Sequence, residues 1–224
     1  TPVLQIVPMV EKILPYLKPD AILTDVGSTK GFIWSKLKQI LPHDIDYVAG
    51  HPMTGSEQSG IKAANAELFR NKGYILIPQT AKKEKSVKLV NELLKVTGAN
   101  ITTMGIEEHD AVAAVISHVP HVVAAGLVNI LGSAETDVDN KLKLAGGGFK
   151  DTTRIASSNS DMWADICISN ADNIIIELEK LQTEITGVIT DIKNNDRDNI
   201  YNYFYKAKCR RDKLIDAANR ILKK

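Results

Sequence analysis

His51-Pro-Met-Thr-Gly-Ser-Glu57 sets a titratable ring at the end of an apolar run, Tyr47-Val-Ala-Gly50, and at the mouth of a turn rich in small and hydroxyl side chains. An imidazole can take up and return a proton near neutral pH, which is the chemistry of a general base. Alone, the segment reads equally well as a strand-ending turn with an incidental histidine. Three other clusters accompany it: Asp25-Val-Gly-Ser-Thr-Lys30, Ser117-His-Val-Pro-His121 and Gly146-Gly-Gly-Phe-Lys-Asp-Thr-Thr-Arg-Ile-Ala156.

Each cluster has a chemical and a structural reading. Ser28 follows an apolar strand, so it is expected at the carboxyl edge of a sheet, where open α/β folds bind ligands. Its hydroxyl can orient the His51 ring, while Ser28 or Thr29 can equally cap the next helix. His118 and His121 lie three apart on one helical face, but no third ligand stands near them, so no metal site is expected. Pro120 should break the helical ladder there and turn His118 towards a cleft. Lys150 and Arg154 are four apart and, on a helix, point the same way. They can form an anion pocket in which the guanidinium grips a carboxylate with two hydrogen bonds; Asp151 with Arg154 as an ordinary ion pair is the structural alternative. Two imidazoles and two cations suit an anionic, carboxylate-bearing substrate.

The elements that must position these groups change character along the chain. Short apolar or β-branched runs at 21–26, 46–50, 73–77 and 100–104 read as strands. Helical patterns lie between them at 6–17, 31–40 and 83–96, so the first part reads as a parallel-rich α/β sheet. From Glu107 the strand signal stops, and helical patterns cover 107–131, 162–194 and 196–222. The expected architecture is α/β followed by all-α, with domains at 1–105 and 106–224. Ile174, Leu178, Leu181, Ile185, Val188 and Ile192 form an apolar stripe that reads as a dimer seam.

With 28 basic and 27 acidic residues the chain supplies no field for a nucleic acid or an anionic membrane. Two cysteines fit a reducing, cytoplasmic setting, and no signal peptide is visible. Residues 111–131 have the length of a membrane span, but His118, Pro120 and His121 at the middle favour a buried helix of a soluble bundle. The chain enters a helix directly after Thr1-Pro-Val-Leu and contains no Gly-x-Gly-x-x-Gly turn of the kind that admits a dinucleotide pyrophosphate.

Taken in order and spacing, the four motifs, together with Met162-Trp163, resemble the prephenate/arogenate dehydrogenase family of tyrosine biosynthesis. The resemblance runs from residue 1 to about 210. It implies an incomplete Rossmann-like cofactor domain followed by a helical substrate and dimerisation domain. It also implies oxidative decarboxylation of prephenate to 4-hydroxyphenylpyruvate, with hydride transfer to NAD or NADP. By the same resemblance His51 accepts the proton of the substrate's ring hydroxyl, and Ser28 orients His51 and approaches the nicotinamide. Arg154 and Lys150 hold a carboxylate, His118 lines the pocket, and Glu57 pairs with a pocket cation. Ser56 and Gly147 join the substrate site, and Thr1 and Pro2 the cofactor site.

The first βαβ unit of that family has no counterpart here, so these 224 residues by themselves are expected to bind dinucleotide poorly and to be inactive alone. Arogenate is the alternative substrate. A non-catalytic dimerisation fragment is the competing reading from another class, and a 6-phosphogluconate-like oxidoreductase a third, opposed by the 146–156 motif.

Overall fold

The computed structural model describes residues 2–55, 64–132 and 145–222, with side chains to 217. Two compact units divide it, residues 1–175 and 176–224.

In the first unit four strands lie in sequential order: β1 (Ile22–Thr24), β2 (Asp46–Pro52), β3 (Gly73–Ile77) and β4 (Asn100–Thr103). The sheet is mixed: β1 and β2 are parallel, β2 and β3 antiparallel, β3 and β4 parallel. The parallel-rich expectation therefore holds for two of three pairings. Antiparallel neighbours need no helical crossover, and between β2 and β3 the described residues form turns only. Every residue of β2 is buried, as suits a central strand covered on both faces.

Helices cover the sheet through i, i+4 apolar pairs. In α1 (Val3–Ile13) the buried residues are Val3, Ile6 and Val10, and in α2 (Gly31–Ile40) Ile33 and Leu37. In α3 (Glu84–Lys95) Val90 and Leu94 pack with Val48, Tyr74 and Leu76 of the sheet. Burying side chains of this size stabilises by roughly 1.5–3 kcal/mol each.

After β4 the chain runs through α4 (Ile106–Ala113), a single π-turn (Ala114–His118) and α5 (Val119–Gly132). Pro120 was expected to break this helix, but it does not. It sits in the first turn of α5, where a missing N–H is tolerated. The ladder instead slips by one residue upstream, with Val119 N–H bonded to the Ala114 carbonyl. Such bulges insert one extra residue and re-aim side chains; here the turn ends at His118.

The burial expected for this segment also fails. It is long and apolar enough to cross a membrane by length and composition, and only 22% of its apolar window is buried. Val115, Ile116, Leu127, Val128 and Ile130 are exposed. Next come α6 (Gly147–Thr153), a 3-10 turn (Arg154–Ser157) and α7 (Ser160–Ser169). The turn packs on α5, and α7 packs on α1, where Leu4 N–H donates to Asp165 at 3.1 Å. The expected helix over 162–194 is interrupted at Asn170, whose backbone leaves the helical region before α8 (Ala171–Lys193).

The second unit consists of the remainder of α8 and of α9 (Arg197–Leu222). Asn195 joins them at φ 51°, a left-handed conformation that asparagine tolerates. Asp196 accepts from Asn199 N–H at 3.0 Å and so caps α9. Along the apolar stripe Leu178, Leu181 and Val188 are half-buried, while Ile185 and Ile192 are exposed.

Candidate active site

β1 and β2 run parallel, so both deliver their following residues to one edge of the sheet. A cavity of about 370 Å³ lies there, lined by Ser28, His51, His118, His121, Arg154 and Trp163 among others. The size falls in the ordinary range for small-molecule sites, about 300–1,000 Å³. The structure thus brings together Ser28, His51, His118 and Arg154. Lys150 and Gly147 are exposed on α6 and are not among the residues lining this cavity. Pro2 is the exposed N-cap of α1 and is not among the residues lining the cavity. Ser56, Glu57 and Thr1 lie outside the described residues.

Neither Ser28 nor Thr29 caps α2. Its first N–H groups are held by a residue distant in sequence: Asp110 accepts from Lys30 N–H and from Gly31 N–H, both at 2.8 Å. Thr29 instead donates to Ser169 Oγ at 2.9 Å.

His51 is held by a partner that sequence reasoning missed. Its Nδ1 lies 2.8 Å from His109 Nε2, and the His109 Nδ1 lies 2.7 Å from Asp110 Oδ1. All three residues are buried. The one signal in the sequence was that His109 and Asp110 sit on the inward stripe of α4 between Ile106 and Ala113, where a polar pair needs a reason.

A second buried group lies beneath. Asp25 accepts from Tyr47 Oη at 2.7 Å, Gly50 N–H at 3.2 Å, Gly27 N–H at 2.9 Å and Lys30 Nζ at 2.5 Å. Lys30 Nζ also donates to the Gly50 carbonyl at 2.7 Å. Gly50 is required here: a Cβ would stand 2.8 Å from the Tyr74 ring.

His118 is oriented from the helical side. Asn170 Nδ2 donates to the Asp110 backbone carbonyl at 2.8 Å, which fixes the amide. The same nitrogen therefore donates to His118 Nδ1 at 3.1 Å, and the His118 proton is on Nε2. That Nε2 and Trp163 Nε1 are the two buried side-chain polar atoms without a hydrogen-bond partner among the described residues. Two orphan donors in one cavity wall fit an acceptor-rich ligand, because buried donors are otherwise satisfied. His121 stacks on Trp163 at 3.8 Å between ring centroids and bonds the Ser117 carbonyl through Nδ1 at 2.8 Å.

Burial favours the neutral form of His51 and of His118. Burial, then the neighbouring His109, Lys30 and His118, draws His51 down to about 2. Burial draws His118 down to about 4, against a smaller opposing pull from Asp110. Both folded values lie below the unfolded value of about 6.5, so the unfolded chain binds protons first on acidification. The stability from burying neutral rings is complete above about pH 6.5 and is lost as pH falls towards the folded values. Each ring is expected to cost about 2 kcal/mol between pH 6.5 and 5. Urea unfolding at the two pH values checks this, with His118→Gln making the acid-side loss shallower; an unchanged slope would count against the assignment.

Residues 1–103 match the family model described as prephenate dehydrogenase, nucleotide-binding domain, and residues 106–206 the one described as prephenate dehydrogenase, dimerization domain. Prephenate dehydrogenase of Bacillus subtilis is 41% identical over 215 residues, covering 96% of this chain and 58% of its own length. The crystal structure of prephenate dehydrogenase from Aquifex aeolicus, in complex with hydroxyphenyl propionate and NAD+, superimposes with a TM-score of 0.86 at 34% identity, covering 96% of this chain and 74% of that one. Synechocystis arogenate dehydrogenase gives a TM-score of 0.79 at 28% identity over 96% of this chain and 77% of that one.

Proposed function

The chain belongs to the prephenate dehydrogenase family, and from that premise we propose that the protein carrying it converts prephenate to 4-hydroxyphenylpyruvate, carbon dioxide and a reduced nicotinamide. The carrying observation is the cavity itself, which is lined together by a buried His51 held neutral, by His118 and Trp163 with their unpartnered donors, and by Arg154. NAD or NADP, when bound, supplies the hydride acceptor. The residues present fit its reactive end, because Ser28 follows β1 at the sheet edge and lines the same cavity as His51.

His51 takes the proton of the ring hydroxyl as hydride leaves the same carbon. The carboxylate on the opposite ring carbon then departs as carbon dioxide, its bonding pair aromatising the ring. The oxygen so charged takes the proton back from His51. No proton is released overall, so His51 lends and recovers one proton within the cavity. Arg154 holds a substrate carboxylate, and His118 Nε2–H and Trp163 Nε1–H donate to substrate oxygens.

We also assign Ser56, Glu57 and Thr1 to the site on the resemblance, and infer a homodimer. Residues 106–206 match a dimerization-domain model, and the exposed apolar residues of α5 and of the α8 stripe offer surface for a second copy. We further infer a cytoplasmic protein, because two cysteines in 224 residues supply no disulfide framework.

The test is an assay of the whole gene product with prephenate and, separately, with arogenate, each with NAD and NADP. Activity confined to arogenate would move the assignment to arogenate dehydrogenase, and activity with neither would remove it. Arg154→Gln is expected to raise KM by about 10–100-fold with a smaller change in kcat, since a charge-assisted hydrogen bond contributes about 1.5–3 kcal/mol. Normal KM values in that variant would support the non-catalytic reading.

A further inference from the structure

We propose that His109, held by Asp110, is a positioning residue that sets the tautomer of His51. The inference rests on the reading of His51 as proton acceptor but is carried by its own observation, a three-membered buried chain running from Asp110 to the cavity. Asp110 Oδ1 is 2.7 Å from His109 Nδ1, and the same carboxylate accepts two backbone N–H groups of α2. A carboxylate only accepts, so His109 carries its proton on Nδ1. In the neutral His109 ring Nε2 is then a lone pair, and His51 Nδ1, 2.8 Å away, is the donor. A neutral His51 with its proton on Nδ1 has its lone pair on Nε2, the nitrogen left for the cavity that the residue lines.

The order of the chain matters for the chemistry. A histidine able to exchange tautomers would spend part of its time with Nε2 protonated and unable to accept. His109 removes that state without adding charge beside the ring. Because the reaction releases no net proton, the chain has no proton to export; its task is orientation. Ser28 was expected to do this from sequence. The structure gives the Nδ1 contact to His109, while Ser28 lies in the cavity wall. Asp110 also joins three parts of the site, since its carboxylate holds the start of α2 and its backbone carbonyl fixes Asn170, the partner of His118. For that reason the test falls on His109 rather than on Asp110.

In the whole gene product, His109→Leu removes the acceptor, and His109→Gln retains an amide oxygen that can accept from His51 Nδ1. The first readout is independent of turnover: nitrogen-15 chemical shifts of the His51 ring without substrate. The wild type is expected to show a protonated Nδ1 and a lone-pair Nε2. Leucine at 109 should shift the ring towards a protonated Nε2, and glutamine should restore most of the original pattern. In the assay His109→Leu should lower kcat by about 10–100-fold with KM within about threefold, and His109→Gln should recover most of the loss. A His51 tautomer unchanged by leucine, or found with Nε2 protonated in the wild type, overturns the proposal. If the wild type lacks dehydrogenase activity while the nitrogen shifts behave as stated, the functional reading fails and the tautomer assignment stands.

Discussion

His51→Asn in the whole gene product is expected to lower kcat by about 10²–10⁴-fold, the usual worth of a positioned general base, while KM changes by no more than a few-fold. Asparagine keeps a polar group of similar reach and can still donate to His109 Nε2, so the buried chain from Asp110 loses little. What it lacks is a nitrogen lone pair able to take a proton. On the proposed reading the substrate's carboxylate is held elsewhere in the cavity, by Arg154, so binding should persist. A fall in kcat/KM caused by KM alone would mean that His51 binds rather than abstracts. Unchanged turnover would remove it from the chemistry altogether. Steady-state kinetics at saturating cofactor distinguish these outcomes, and a circular dichroism melt shows whether the variant is folded.

The cavity can be read from sequence only where it follows the backbone. Ser28 and His51 come from consecutive parallel strands, and strand ends are visible as apolar runs stopped by glycine and proline, so their common edge is predictable. The boundaries of α2 and β3 likewise follow from periodicity. His109 is a different case. It meets His51 across 58 residues through a helix packed on the sheet edge, and no local spacing encodes that contact. Pro120 misled for a related reason: its own chemistry was read correctly, but the adjacent π-turn absorbed the missing hydrogen bond without ending the helix. At Asn170 the chain breaks a strongly helical pattern, and its side chain there bonds His118, the Asp110 carbonyl and Asn173. Local propensity yields at that point to the polar groups it must satisfy.

Lys30→Met is expected to be the most destabilising single change in the first unit, by about 3–5 kcal/mol. Lys30 is fully buried, and its amine bridges Asp25 on the β1 side to the Gly50 carbonyl on β2. Burial draws its pKa down, while Asp25, and further off Asp110, pull the other way. Methionine fills much of the same volume, so the loss is electrostatic rather than a cavity. The Asp25 side chain is 6% exposed and would retain a charge without its cation. Its remaining donors, Tyr47 Oη and the Gly27 and Gly50 N–H groups, satisfy its oxygens but supply no compensating charge. For a chain of this size the loss corresponds to a Tm lower by about 6–20 °C. Adding Asp25→Asn to Lys30→Met should recover part of that, because removing both charges costs less than stranding one. The strand carrying His51 is fastened at Gly50, so the single variant should also loosen the His51–His109 contact and lower kcat more than the double variant does. Thermal melts of the two variants decide it: a single variant within 1 kcal/mol of wild type, or a double variant less stable than the single, would show that Asp25 does not depend on Lys30.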